Sequence, residues 1–165
     1  MADDLAKLAD DLEAFARSLQ NQRLLSRIGL AAERLIKDRT RRGVDFEERV
    51  FERAPTAEAG SPYSPGHAQK RADQGLPTGL INLQFTLYGG SMEAFDHVVA
   101  RDLQSVALRF TSARAERIMR FHNIEGAGKS KVIRKNIGLS RRDLDRIKDL
   151  VEDHVGDQIK LFDFN

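Results

Sequence analysis

The chain of 165 residues contains no cysteine. That absence removes disulfides, thiolate zinc sites and a cysteine nucleophile together, and says little about compartment. No apolar run approaches the roughly 18 residues that a membrane span needs, so a soluble protein without a membrane partner is expected. The opening MADDLAKLADDLEAF is acidic and helical in pattern. It shows no basic stretch followed by an apolar core, so no secretion signal is expected. Charge of one sign is also missing: the formal net charge is only +2, which leaves no global basic field that demands nucleic acid.

Chemical motifs are equally scarce. The stretch His122–Lys131, HNIEGAGKSK, ends like a phosphate-binding loop, but such a loop needs a glycine five residues before Gly128, and Asn123 stands there. A helical pattern precedes it where a strand is required, so nucleotide hydrolysis is not expected. The histidines His67, His97, His122 and His154 are far apart and none belongs to a two-histidine metal motif, so each reads as a surface or packing residue. Carboxylates fall mostly on the polar sides of helices. No catalytic residue, metal or cofactor is therefore expected. Lys129, Lys131, Arg134 and Lys135, with Arg141 and Arg142 beyond, form a basic run that could touch DNA phosphates or an acidic partner. It lacks the interleaved aromatics of single-strand binders, Phe121 being the only neighbour.

What is present is a pattern of elements. Leu5, Leu8, Leu12, Phe15 and Leu19 mark one amphipathic helix, and Leu24, Leu25, Ile28, Ala31, Ala32, Leu35 and Ile36 a second over about 21–42. The basic turn Arg39–Arg42 suits a helix C-terminus and Gly43 its stop. All four prolines and five of the twelve glycines lie between 43 and 79, predicting a long connection with little regular structure. Within it Ser64-Pro65 opens a short helix that Gly75 ends. The stretch Leu80–Leu87 alternates imperfectly. His97–Arg101 and Ser105–Phe110 read as an antiparallel hairpin. Ser112 caps a helix to about Phe121, with Ala115, Ile118, Met119 and Phe121 apolar. Ser140 and Asp143 form a capping box that opens the last helix, and the helical pattern weakens after Gly156. These elements predict one α+β domain: helices at 1–42, a partly structured loop at 43–79, a small antiparallel sheet and C-terminal helix at 80–155, and a tail at 156–165.

In order, the segments GVDFEERVF, PYSPGHAQKR, LINLQFT, GGSM, RAERIMRFHNIEG and IRKNIGLSRRDLDRI resemble the tailed-phage virion morphogenesis family, which includes tail-completion, neck and head–tail joining proteins. The resemblance covers about residues 20 to 155. Its landmarks fall on Gly43 and Asp45, Tyr63 and Ser64, Asn82 and Leu83, Gly90 and Met92, His122, Asn123 and Gly126, and Arg134, Gly138, Leu139, Ser140 and Asp143. Departures fall at Gly89, at Phe95 and across Glu47–Arg49. The resemblance implies a non-enzymatic virion part: a homo-oligomeric ring at the neck or upper tail, made in the host cytoplasm. Its partners would be portal or head-completion proteins on one side and tail-tube or tail-terminator proteins on the other, with genomic DNA passing through the lumen. Closed rings need heterologous interfaces. The 43–79 loop is the first expected patch, with Tyr63, His67 and Arg71 as contacts. Phe162 and Phe164 near the C-terminal end are expected to be covered, by the chain's own sheet or by a neighbouring subunit. The alternative is a small DNA-associated binding protein that uses the basic 129–142 segment.

Overall fold

A computed structural model describes residues 10, 12–17, 19, 21–81, 83, 91–126 and 131–161. Residues 12–17 are helical. Helix α1 then runs Gln22–Arg41. Asn21 starts it, its Oδ1 accepting the Leu24 N–H at 2.7 Å, and Gly43 at φ +70° turns the chain out of it. Its inward stripe is Leu24, Gly29, Ala32, Ile36 and Arg39, steps of three to five residues that keep one face turned to the interior, with Thr40 buried beside Arg39.

Helix α2, Pro65–Asp73, is the short helix expected inside the long connection, with Pro65 at its first position. Strands β1, Phe95–Val99, and β2, Val106–Phe110, form an antiparallel hairpin, β1 lying two residues earlier than the expected His97–Arg101, in the register Phe95 opposite Phe110 and Val99 opposite Val106. Two strands alone are marginal in water; this pair packs on α1. Ser112 caps helix α3, Ala113–Arg120, which widens into a π-helical turn over Phe121–Glu125. Helix α4, Arg141–Leu161, lies against α1.

The α+β architecture is as expected: helices predominate around one two-stranded antiparallel sheet. Among the described residues, no helix is long and apolar enough to cross a membrane. Three expectations are corrected. The tail expected from 156 is helical through Leu161, because a helix already anchored along α1 tolerates Gly156 at a cost of about 1 kcal/mol. Phe121, expected on the apolar side of its helix, is 43% exposed, since the π-turn shifts the periodicity there. Tyr63, expected as a contact of the 43–79 patch, is buried in the core. Phe51 and Tyr63 join Ile36, Ile81, Leu83, Met92, Phe95 and Met119 in the core cluster, each large apolar side chain contributing roughly 1.5–3 kcal/mol by burial. Leu80, Ile81 and Leu83 lie in no strand, and the rest of Leu80–Leu87 falls outside the described residues.

Candidate functional site

Two buried polar clusters meet where residues 122–123 lie beside 134–137. The first grows from the end of α1 and the start of α4. Ser140 Oγ accepts the Asp143 N–H at 3.1 Å, and Asp143 Oδ2 accepts the Ser140 N–H at 3.0 Å, which closes the expected capping box. The same carboxylate takes the guanidinium of Arg39, which is fully buried. Arg39 Nη2 also donates to the carbonyls of Asn136, at 3.0 Å, and Gly138. Burial pushes the Arg39 guanidinium below its ordinary value, against the pull of Asp143 and, further off, Glu48 and Asp45. The basic turn at 39–42 therefore does more than complement a helix dipole.

Asn136 and Asn123 carry the network inward. Asn123 Nδ2 donates to Asn136 Oδ1 at 2.7 Å and to the Met119 carbonyl at 2.8 Å, while its Oδ1 accepts the Ile137 N–H at 2.9 Å. Asn136 Nδ2 in turn reaches Thr40 Oγ1 at 3.4 Å. Gly126 permits this pairing: at φ +82°, a Cβ there would stand 2.1 Å from the Lys131 carbonyl oxygen.

The second cluster holds the long connection to the rest. Tyr63 stacks on His67 at 5.0 Å between ring centroids, and Arg71 lies over the Tyr63 ring at 4.6 Å. The Tyr63 hydroxyl donates to the Leu80 carbonyl at 3.1 Å, and Arg71 Nε to that of Pro77 at 2.8 Å. Arg134 donates through Nε and Nη2 to the Glu52 carbonyl, at 3.2 and 3.0 Å, and its backbone N–H to the His122 carbonyl at 2.6 Å. His122 Nδ1 is buried without a hydrogen-bond partner among the described residues. Burial, then Arg134 and His67, push His122 down to about 4. His67 is held below its usual value by burial, then by Arg71, Arg134 and Lys70. Both imidazoles are neutral at pH 7.

The expected site residues are thus redistributed. Tyr63 and Arg71 are buried inside the chain, so neither presents a surface to a neighbour; His67 is half-buried. Arg134 is buried on a carbonyl and drops out of the basic contact, while Lys131 and Lys135 are exposed and Lys135 Nζ lies 3.7 Å from Glu47 Oε1. Lys129, Phe162 and Phe164 lie outside the described residues. Helix precedes the GAGKS stretch and irregular chain follows Lys131, so the strand–loop–helix setting of a phosphate loop is not there. Among the described residues, no serine or threonine hydroxyl bonds to a histidine.

Sequence reading missed a third group. Glu33 on α1 and Asp96 and His97 on β1 come together, with ligand atoms all within 4.8 Å of one another. They come from positions over 60 residues apart and match no local motif. No protein-family model, curated protein or solved structure significantly matches this chain.

Proposed function

We propose that this chain is a structural subunit of a tailed-phage virion, a ring component at the neck or upper tail that joins head to tail. One observation carries the reading. His122, Asn123, Arg134, Gly138, Ser140 and Asp143, landmarks of the motif order, serve one continuous hydrogen-bond path, buried at Arg134, Ser140 and Asp143 and half-buried at the others. Their work is architectural: they fix two helices and a long connection in place, and Ser140 and Asp143 are already committed to each other and to Arg39. Residues that a folded part needs, rather than a reaction, are what a non-enzymatic ring subunit would keep.

Exposed apolar side chains give such a subunit something to bury. Val50 stands out from the long connection, Leu80 just after it, and Phe121, Ile124 and Ile133 from the 121–133 region. Residues 55–61 form a small excursion whose ends are tied by the Ala54 N–H to the Pro62 carbonyl at 2.9 Å. It can be removed at its base. The purified protein, alone or with its tail or head partners, should give closed rings whose formation does not depend on salt, and deletion of 55–61 should leave a folded monomer that no longer assembles. The DNA-binding alternative has lost Arg134, and it expects retention on DNA that falls steeply with salt. Rings absent under all conditions together with salt-dependent DNA retention would reverse the choice.

A further inference from the structure

His97, in the middle of β1, lies with its imidazole flat against α1. A Cβ at Gly29 would stand 2.4 Å from His97 Cδ2 and 2.7 Å from Cγ, so only glycine seats the ring there. From that seat Nδ1 faces two carboxylates. Glu33 Oε2 is 3.0 Å away and Asp96 Oδ1 3.6 Å. The other Glu33 oxygen is held by Lys37 Nζ at 2.6 Å, one turn along α1, which aims Oε2 at the ring. Asp96 curls back along its own strand, its Oδ1 accepting the His97 backbone N–H at 2.8 Å.

Nδ1 carries at most one proton, which Glu33 Oε2 can take; Asp96 Oδ1, beyond hydrogen-bond range of Nδ1 at 3.6 Å, is held on the same side by the His97 backbone N–H. A cation satisfies all three atoms at once. Four ligands at roughly 2.0–2.1 Å around a tetrahedral ion lie about 3.4 Å apart; the two carboxylate oxygens stand 3.0 and 3.6 Å from Nδ1, and all three atoms lie within 4.8 Å of one another. Beside the ring, a shallow cavity lined by Gln22, Arg23, Ser26, Arg27, Leu30 and His97 opens to solvent, so the imidazole is within reach of water.

We propose that Glu33, Asp96 and His97 form a three-ligand site for a divalent transition metal, zinc above all, with water in the fourth position. Imidazole with carboxylate suits zinc and disfavours magnesium, which demands oxygen ligands. Lys37 stays on the far Glu33 oxygen and orients it, as outer partners of metal ligands do. The ion would clip α1 to the hairpin across the whole 43–79 connection, stabilising the fold in proportion to its occupancy. The site stands independently of the virion reading.

The test uses untagged full-length protein dialysed against EDTA. Zinc chloride titrated calorimetrically should bind one equivalent and raise the unfolding midpoint; magnesium chloride at the same concentration should do neither. Cobalt(II) should give the visible absorption of a tetrahedral site. Glu33→Gln and Asp96→Asn, which keep hydrogen-bonding shape, should each lose at least about tenfold in zinc affinity, and His97→Ala should abolish it. The proposal is overturned if the wild type shows no saturable zinc binding, or if Glu33→Gln and Asp96→Asn bind as tightly as it does.

Discussion

Arg39 and Arg134 are both buried guanidiniums, one set against the carboxylate of Asp143 and the other against a main-chain carbonyl beside two neutral imidazoles. The first cluster stores opposite charges in contact, so it fails when one partner is removed. Around Arg134, one cation is kept with groups that must stay uncharged, so acid is its weakness. One region is brittle to mutation and the other to pH, although they share the 122–137 pairing.

The sharpest way to break this contrast is Asp143→Ala. It strands Arg39 in the interior and removes the acceptor for Ser140, and should cost about 3–5 kcal/mol in urea unfolding. Pairing it with Arg39→Met should recover part of the loss, since no charge is then left buried alone. Acid should act on the other cluster. Between pH 6.5 and about 4 the unfolded chain takes up a proton that folded His122 refuses, so stability falls as pH drops through that window and levels off below it. The loss should be about 3 kcal/mol, and His122→Gln should flatten that part of the pH profile. Gly29→Ala, which pushes a methyl group into His97, should cost about 1–3 kcal/mol in urea unfolding. The smallest effect belongs to Ser140→Ala, about 1 kcal/mol from the lost cap.

What could be read in the sequence was local. Asn21, Ser112 and Ser140 sit at helix starts because a side-chain oxygen three residues before an amide meets its hydrogen, a relation within one turn of chain. Gly43 and the hairpin followed from equally short rules. Buried charge was not legible, because nothing beside Arg39 or Arg134 announces a partner 104 positions away or a carbonyl 82 positions away. The same holds for Tyr63 and Arg71, expected as contacts of the 43–79 patch but buried in the interior. Helix α4 outran its expected end because packing along α1 outweighs the low helical propensity of Gly156. Glu33, Asp96 and His97 come together only once α1 and the hairpin pack.

Reconstitution of head–tail joining tests the central claim most directly. A phage whose copy of this gene is interrupted should accumulate DNA-filled heads and separate tails, and adding the purified protein to that lysate should restore joined, infectious particles, while protein lacking residues 55–61 should not. Normal particles made without the protein, or separated heads and tails that its addition leaves unjoined, would contradict the account.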